Sequence, residues 1–585
     1  MKGKNYIMKR RNYLIGALFA TGIVFILYGF NTEKEDPLLQ ILKEELNREM
    51  AVLKKEKTPP YYMGYRVDDV NKIRIEASFG SLVKTDQKRE RHLTVMARVG
   101  SHELDNFHEM RENYNAYWDS RRQYSKLPLT NEEKAVKQVL WRCTDKQYKK
   151  ALDKYAQVKA NVAVKVDEED QSDDFSHEEA AAYYEPPAAL EDFKFDKKEW
   201  EEKLKKCSKH FLEDTDIFFG RAGVTFGIER KYFISTEGTE VVHNRTYARV
   251  FLIGRIKAED GMVLPVYRDF FAFSPEDLPD DATLENTVKE IVSLLSALKN
   301  APVVEPYAGP ALLSGEASGV FFHEIFGHRI EGHRLKSEYD AQTFKDKLGK
   351  EVLHSDLSVA MNPSMKSFNG QDLNGYYLYD DEGVKGSKVT VVEDGVLQGF
   401  LMSRSPIKRF KDSNGHGRAQ AGYQPVSRQS NLIVTTSSPY SEEKLKKILL
   451  KEAKKQGLDY AYYFQEVTGG FTFTGRYMPN SFNVTPTVVY RVYVDGRPDE
   501  LVRGVDLVGT PLAMFSKIEA AGDDYGVFTG TCGAESGGVP VSAVSPTLYV
   551  RQIELQKKHK SQNKPYVLER PDMPFNQENI NNSYN

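Results

Sequence analysis

The first half of the 585-residue chain alternates between stretches whose apolar residues have helical spacing and stretches where they have strand spacing. Asp36-Pro37 begins a run in which apolar residues recur every three or four positions, which predicts a helix with Asp36 as its N-cap. In residues 73–79 apolar and polar residues alternate, as in a half-buried strand, and residues 224–256 predict a pair of strands. These patterns predict an N-terminal α/β domain over residues 35–300.

After this point short strand-like runs dominate, and Gly, Asn and Asp separate them. Residues 387–393 and 487–494 are examples. The pattern predicts a β-rich, barrel- or sandwich-like C-terminal domain over residues 301–557, followed by a polar, disordered tail over residues 558–585. The expected fold class is therefore α+β, with an α/β domain followed by a β-rich domain.

Residues 13–30 form an uncharged, almost wholly apolar stretch, and five Lys or Arg residues without any acid precede it. The stretch is as long as a short membrane span and longer than the usual apolar core of a signal peptide. We therefore expect residues 1–34 to comprise a basic cytoplasmic stretch and a membrane anchor, with the bulk of the chain extracytoplasmic (periplasmic in a bacterium). The alternatives are export after cleavage of a signal peptide and a buried N-terminal helix.

Composition narrows the classes of function. A net charge of −3 argues against a nucleic-acid-binding protein, which would carry a basic face. Three cysteines do not make a disulfide framework, and their spacing leaves open whether Cys143 and Cys207 pair. The acidic run at 167–179 lies in a predicted insertion near 165–190, and we interpret it as a solvated loop or disordered insertion rather than a cation site.

Residues 321–328 read FFHEIFGH, which contains H-E-x-x-x-H, one residue longer than the zinc-peptidase motif H-E-x-x-H. Residues five apart on an ideal α-helix point about 140° apart, so His323 and His328 would diverge. A π-turn, or a bend or helix end at Gly327, would bring them together, and the spacing therefore predicts a distorted helix. Glu324, beside the first histidine, could act as a general base, and His333 offers a further imidazole.

A cysteine far along the chain makes a metal site more plausible. The sequence predicts that a Gly-rich loop presents Cys532 just before a strand-like run. Two histidines, one cysteine and a water form a catalytic zinc site, so Cys532 is a candidate third ligand. The alternative is that the histidines are packed or on a helix surface, since the histidine motif alone is a weak indicator.

Five segments within residues 314–548 resemble, in the same order, segments of the TldD/PmbA family of metallopeptidases. They read SGEASGVFFHEIFGH, YYLYDDEGVKGSKVTVVEDGVLQGFLMSR, RQSNLIV, TGGFTF and TGTCGAESGGVPVSAVSPTL. The resemblance implies that His323, His328 and Cys532 bind zinc and that Glu324 is catalytic. It also implies an α/β domain followed by a β-rich domain, a homodimer or a heterodimer with a related subunit, and a cleft for extended or unfolded peptides. The apolar N-terminal segment and the acidic stretch depart from the family's pattern.

Four further residues are candidates for binding substrate. Arg428 and Asn431 could hold a peptide backbone, although such residues more often fix loops. Gly469 and Gly470 allow the close approach of an extended peptide that adds a strand to a sheet edge, with a bulge or turn as the alternative.

The sequence therefore predicts a membrane-anchored or exported peptidase with one zinc ion per chain. It would hydrolyse extended or unfolded peptides with a zinc-bound water activated by Glu324. The alternative is a non-hydrolytic peptide-binding or assembly subunit that pairs with an active family member. No feature of the sequence selects a metal hydrolase that acts on something other than peptides.

Overall fold

The structure is a computed structural model that describes residues 36–110, 122–123, 125–163, 170–337, 340, 342–475 and 482–558. Within them, the helices are α1 (Pro37–Leu53), α2 (Glu133–Val162), α3 (Lys197–Lys209), α4 (Asp281–Asn300), α5 (Gly315–Ile325), α6 (Glu442–Lys455) and α7 (Pro511–Phe515).

A seven-stranded sheet occupies the first half of the described chain. Its strands are β1 (Pro60–Ser78), β2 (Ser81–Val99), β3 (Ser125–Lys126), β4 (Ala182–Tyr184), β5 (Ile217–Ser235), β6 (Glu240–Lys257) and β7 (Val263–Ala272). The order is β3-β2-β1-β5-β6, and both β4 and β7 pair with β6. All the long neighbours are antiparallel. β1 and β5 pair in continuous register, and β5 and β6 pair with one register shift between Ile217 and Phe219.

The helices α1 to α4 cover one face of this first sheet. Leu38 and Leu42 of α1 pack with Tyr65 of β1, and Trp200 of α3 packs with Phe226 of β5. Because alternate residues of a strand point to opposite faces, the polar side chains between these positions point the other way, towards the second half of the chain. The first sheet is therefore a layer with helices behind it and the second domain in front of it.

The helix predicted at Asp36 begins where expected. Asp36 Oδ1 accepts hydrogen bonds from the main-chain N–H of Leu38 (3.0 Å) and Leu39 (3.3 Å), which confirms it as the N-cap. Its other carboxylate oxygen accepts from Arg230 Nη2 of β5 at 3.0 Å, so the cap also ties α1 to the sheet.

An eleven-stranded sheet forms the second half. Its strands are β8 (Tyr307–Leu313), β9 (Leu357–Met361), β12 (Val389–Glu393), β13 (Val396–Leu397), β16 (Asn431–Thr436), β17 (Tyr460–Thr472), β18 (Phe482–Tyr493), β19 (Glu500–Val502), β20 (Val505–Gly509), β21 (Ile518–Ala534) and β22 (Gly537–Lys557). Two small hairpins accompany it: β10 (Ser367–Phe368) with β11 (Gln371–Asp372), and β14 (Gly417–Arg418) with β15 (Val426–Ser427).

Five strands of the second sheet close into a ring. β8 pairs with β17 on one side and with β22 on the other, and β22, β20, β18 and β17 pair in that order. Helix α5 packs against β17, β18, β21 and β22, and its Phe321 and Phe322 are fully buried. The mixed α/β fold with a β-rich second half is therefore as predicted, and the domain boundary that we predict near residue 300 falls at the end of α4.

The acidic run is only partly the solvated loop or disordered insertion that the sequence predicts. In its described part, residues 170–179, Asp174, Phe175 and Ser176 are buried, whereas residues 171, 173, 177 and 179 are exposed. The ring centre of Phe175 lies 3.8 Å from the guanidinium carbons of both Arg98 and Arg404. Asp174 accepts hydrogen bonds from the main chain of Asp105 and from His108, at 2.9 Å each. Residues 167–169 lie outside the described residues.

The predicted membrane-anchored, extracytoplasmic location is wrong. Among the described residues no helix is long and apolar enough to cross a membrane. The apolar stretch 13–30, from which the anchor and the signal peptide were both predicted, lies outside the described residues, as does the tail from residue 559. Cys143, Cys207 and Cys532 are all free thiols, so Cys143 and Cys207 do not pair.

Candidate metal centre

Three predicted ligands converge although they come from distant parts of the chain. The ligand atoms of His323, His328 and Cys532 all lie within 4.8 Å of one another. Cys532 Sγ is 3.3 Å from His328 Nε2, and the two imidazole centres are 5.2 Å apart with their planes at 79°. This arrangement brings two nitrogen donors and one sulfur donor to one point.

Helix α5 ends between His323 and His328, which allows the two histidines of H-E-x-x-x-H to lie close together. Ser314 caps the helix by accepting a hydrogen bond from Ala317 N (3.2 Å), and the helix ends at Ile325. A 3₁₀ turn over Gly327–Arg329 follows. The predicted distortion is therefore present as a helix end and a tighter turn, and not as a π-turn. The change of direction brings His328 back beside His323.

Gly327 is required for space at this turn. A Cβ at this position would lie 1.9 Å from Gln429 Oε1 and 2.2 Å from its Cδ. Gln429 is itself buried, and its Nε2 lies within hydrogen-bonding distance of His323 O (3.4 Å). The glycine thus allows the turn to pack against the segment that holds His323.

Cys532 lies on a strand, whereas the sequence predicts a flexible loop. It is in β21, two residues before the end of that strand, and pairs with Val539 across the hairpin. Its side chain packs with Val539 and Val541. The glycines of this segment therefore belong to a regular hairpin, which fixes the sulfur in place.

Buried charged groups surround the three ligands. His328 Nδ1 is 3.3 Å from Glu331 Oε2, and Arg334 lies 2.8 Å from the same carboxylate oxygen. Arg428 Nε is 3.4 Å from the other oxygen of Glu331. Arg428 Nη2 donates to Cys532 O (2.6 Å) and lies 3.2 Å from Cys532 Sγ. These contacts join the histidine turn to the cysteine hairpin.

The electrostatics favour a thiolate. Burial raises the pKa of Cys532, but His328, Arg428 and His323 outweigh that effect and hold the pKa well below its usual value. Burial likewise opposes charge on His328, while Cys532 and Glu331 raise its pKa to about 10. The thiolate is the form of cysteine that binds metals.

The donor set fits zinc. Two imidazoles and a thiolate are a known catalytic zinc set that leaves one position for water or substrate. A carboxylate on Nδ1 of a histidine leaves the lone pair of Nε2 available, and Nε2 is the nitrogen of His328 that faces Cys532. His323, His328 and Cys532 could therefore hold the ion, and Glu331 would orient His328.

A cavity of about 1340 Å³ opens beside the ligands. His323, His328, Cys532 and Glu324 line one wall. The facing wall comes from β6 and β7 of the first sheet and includes Arg249, Ile253, Arg255, Tyr267 and Asp269. The three candidate ligands therefore face a cleft between the two sheets, large enough for a peptide segment.

Glu324 lies in this cavity, and its side chain is buried. Burial raises the pKa of Glu324, and His323 and His328 offset part of the shift. Its main-chain oxygen accepts a hydrogen bond from Arg329 Nη1 at 2.7 Å. A carboxylate with a raised pKa beside a metal site is suited to taking up and releasing a proton.

The four predicted substrate-binding residues divide into two pairs. Gly469 and Gly470 line the cavity, and a Cβ on Gly470 would lie 2.7 Å from Cγ of Glu324. Arg428 and Asn431 are fully buried and are not among the residues that line it. Arg428 contacts Cys532, and Asn431 Nδ2 donates to the carbonyl oxygens of Asn362 (3.2 Å) and Met365 (2.9 Å). Arg428 and Asn431 therefore contact other residues of the protein and not the cavity.

The sequence reasoning missed most of the charged groups behind the ligands. His333, a candidate ligand, is hydrogen-bonded to Glu535, and Arg334 Nη2 donates to the same carboxylate at 2.9 Å. Glu331 could have been found, because it follows His328 by three residues. Glu535 follows Cys532 by three residues, but the sequence gives no sign that it meets Arg334.

Comparison with known proteins finds similarity to a metallopeptidase domain and to proteins named as metalloproteases. Residues 307–557 match the model of the PmbA/TldA metallopeptidase C-terminal domain. A metalloprotease of Methanocaldococcus jannaschii is 29% identical over 231 residues, which are 39% of this chain and 47% of that protein. A metalloprotease of Archaeoglobus fulgidus is 31% identical over 264 residues, 45% of this chain and 56% of that protein. The chain thus spans about half the length of these two relatives.

The similarity in fold covers more of the chain than the similarity in sequence does. The crystal structure of TldE from Thermococcus kodakarensis is similar to 89% of this chain and 100% of that one, with a TM-score of 0.57 and 12% identity. At this identity the likeness concerns the fold alone.

Proposed function

This chain belongs to the TldD/PmbA family, and on that premise we propose that it is a zinc-dependent peptidase that hydrolyses extended or unfolded peptides. One observation carries the proposal: His323 and His328 meet Cys532 at one wall of a cavity that also holds Glu324. The names of the similar metalloproteases support the same class of reaction.

His323, His328 and Cys532 would hold the ion. When bound, zinc would polarise the scissile carbonyl group and lower the pKa of a water molecule. Glu331 and Arg428 keep His328 and Cys532 in their relative positions through the contacts described above.

Glu324 would move the proton. One carboxylate oxygen of Glu324 takes a proton from the attacking water, and the resulting carboxyl group donates it to the nitrogen of the leaving amine. The burial that raises the pKa of Glu324 makes its carboxylate a stronger base for the first step. A Cβ on residue 470 would overlap Glu324, so the glycine leaves room for this side chain.

The cleft would bind the substrate as an extended chain. Gly469 and Gly470 lie at the end of β17, where main-chain groups can approach a peptide closely. A folded protein could not fit a cleft that both sheets line. We further propose that the chain works as a homodimer or as a heterodimer with a related subunit.

The test is zinc content together with hydrolysis of an unfolded protein such as reduced, alkylated casein. We expect about one zinc per chain in the full-length protein purified without added metal. Glu324→Gln should keep the zinc and lose hydrolysis, and Cys532→Ala should lose both. Hydrolysis that survives Glu324→Gln would overturn the mechanism. A zinc-loaded but inactive chain would favour the alternative, a peptide-binding subunit that needs an active partner.

A further inference from the structure

A second cavity, of about 760 Å³, lies between the two sheets. It is next to the cavity that His323, His328 and Cys532 line, which we call the metal cavity. Arg249 and Thr531 line both cavities. Thr531 precedes Cys532 on β21, so the cysteine hairpin borders both cavities. The second cavity is thus adjacent to the site of the proposed reaction.

One strand of the first sheet passes under both cavities. His243, Arg245 and Tyr247 of β6 line the second cavity, and Ile253 and Arg255 line the first. These residues are all odd-numbered, as is Arg249 between them, so they share one face of the strand. The two cavities are therefore consecutive parts of one path along β6.

Arg249 marks the junction of the two cavities. Its Nη2 forms an ion pair with Asp269 Oδ2 of β7 (2.7 Å) and donates to Thr529 O of β21 (3.0 Å). Thr529 Oγ1 is 3.3 Å from the same carboxylate oxygen. A polypeptide that passes from one cavity to the other must run along this guanidinium group.

Two arginines on this path have a donor without an acceptor. The Nε groups of Arg245 and Arg249 are both buried and have no hydrogen-bond partner among the described residues. Arg245 Nη2 donates to Asn374 Oδ1 at 2.6 Å, so its side chain is held in place while Nε stays unpaired. Both Nε atoms are shielded, so a ligand in the cavity would contact the accessible parts of these side chains, which are 14% exposed for Arg245 and 25% exposed for Arg249.

The lining of the second cavity suits a polypeptide of varied sequence. Tyr247, Tyr376 and Tyr379 offer aromatic surface with a polar hydroxyl group, and Lys231 is paired with Asp381 at 2.8 Å. His243 is a buried neutral imidazole, since burial and the nearby Lys231 lower its pKa to about 4. Such a wall offers donors, acceptors and stacking surfaces without selecting one charge.

We propose that the second cavity binds the part of an extended polypeptide substrate that is remote from the scissile bond, alongside the side chains of Arg245 and Arg249. This inference rests on the proposed peptidase function. From His243 to Arg249 the strand rises about 20 Å, at about 3.3 Å per residue. A peptide must therefore continue for about six residues beyond the junction to fill the second cavity.

The first experiment measures binding without hydrolysis. Fluorescent peptides with one shared central sequence, extended at either end by two, four, six or eight residues, are titrated into full-length, zinc-loaded Glu324→Gln protein. We expect extension at one end only to lower Kd, by about tenfold once six residues are added. A Kd that does not depend on length would overturn the proposal, whether or not the wild-type protein hydrolyses peptides.

Two variants locate the effect. Ala421→Trp, in the second cavity, should abolish the gain from the added residues and leave the Kd of the shortest peptide unchanged, while Ala421→Ser should behave as the parent. Arg245→Met should raise the Kd of the long peptides alone. A long-peptide advantage that survives Ala421→Trp would contradict the proposal.

A crosslink tests the position of the chain directly. A photoreactive phenylalanine analogue placed six residues beyond the shared sequence should react with the β6 fragment that contains His243 and Tyr247, as identified by mass spectrometry. Crosslinks confined to the metal cavity or to the outer surface would exclude this path. Crosslinking does not depend on hydrolysis. The experiment therefore distinguishes a wrong subsite from a wrong enzyme class.

Discussion

Arg428 Nη2 lies 3.2 Å from Cys532 Sγ and 2.6 Å from the carbonyl oxygen of the same residue. The guanidinium group also reaches Glu331, whose second carboxylate oxygen is 3.3 Å from His328 Nδ1. A continuous set of contacts therefore joins a ligand on the helix turn to a ligand on the hairpin. On these contacts we propose a positioning role for Arg428 instead of the substrate-binding role that the sequence predicts.

The first prediction concerns this positioning role. Arg428→Lys keeps the charge but cannot contact Glu331 and Cys532 together, because only a guanidinium group has donors in a planar fork. We expect the zinc affinity to fall by about 10- to 100-fold, as for other groups that support metal ligands. Competition with a chromophoric chelator measures the affinity.

Arg404→Lys is the matched control for Arg428→Lys. Arg404 is an equally buried arginine, but its partners are Glu237 and the carbonyl oxygen of Ser176. Its replacement should lower stability without changing the zinc affinity. An equal loss of zinc affinity in both variants would mean that Arg428 acts only through the stability of the fold.

The second prediction tests the space at Gly327. Gly327→Ala should lower the free energy of unfolding by about 1–3 kcal/mol, as is typical of overpacking, because the new Cβ overlaps Gln429. Urea unfolding measures the change. Gly533→Ala is the control, since a Cβ there meets nothing within 4 Å. Gln429→Ala in the Gly327→Ala background should restore part of the loss, and no restoration would show that the turn itself is strained.

The third prediction separates the placement of Glu324 from metal binding. Gly470→Ala would place a Cβ 2.7 Å from Cγ of Glu324 and displace its carboxylate. Small displacements of a reacting group can cost on the order of 100-fold in rate. We expect kcat to fall by about 10- to 100-fold with the zinc content unchanged. Gly533→Ala, also in the cavity wall, should keep kcat, and a loss of zinc from Gly470→Ala would contradict the explanation.

The fourth prediction concerns pH. His416 is fully buried, with Nε2 3.1 Å from Ser430 Oγ, and burial lowers its pKa to about 3. Below pH 6.5 the unfolded chain binds a proton at this histidine and the folded chain does not, so stability falls as pH falls. The contribution approaches about 1.4 kcal/mol per pH unit between pH 6 and pH 3.

Urea unfolding of the metal-free protein at pH 7, 6 and 5 measures this dependence. His416→Gln should be less stable at pH 7 but should lose less stability on acidification than the wild type. His354→Gln, which changes an exposed side chain, serves as the control and should keep the wild-type slope. Identical slopes for His416→Gln and the wild type would show that His416 is protonated in the folded protein.

The sequence was enough to nominate the three candidate ligands that the structure brings together, because their chemistry is local. His323 and His328 are five residues apart, and the type of residue at Cys532 is enough to nominate it. The strand position of Cys532 was missed because glycines in a long hairpin resemble those of a loop. The role of Arg428 was missed because its partners, at Glu331 and Cys532, are set by the pairing of β16 with β22 and by the turn after α5.

The acidic run shows the same limit for the fold. Its composition is that of a solvated segment, and composition cannot reveal that Asp174 meets His108, or that Phe175 lies between Arg98 and Arg404. Each of these contacts joins residues far apart in the chain. Strands and helices with a repeating apolar pattern could be predicted, because the pattern is visible in the sequence without knowing which element they pack against.

The separation of 204 residues between His328 and Cys532 also has a consequence for how the molecule is made. A ribosome releases the two histidines long before it adds the cysteine, and chains fold progressively during synthesis. An ion bound by all three residues could enter its site only when nearly all of both sheets has been synthesised. Loading with metal would then be a late step in biogenesis, and a chain that ends before residue 532 would carry the histidines without the third candidate ligand.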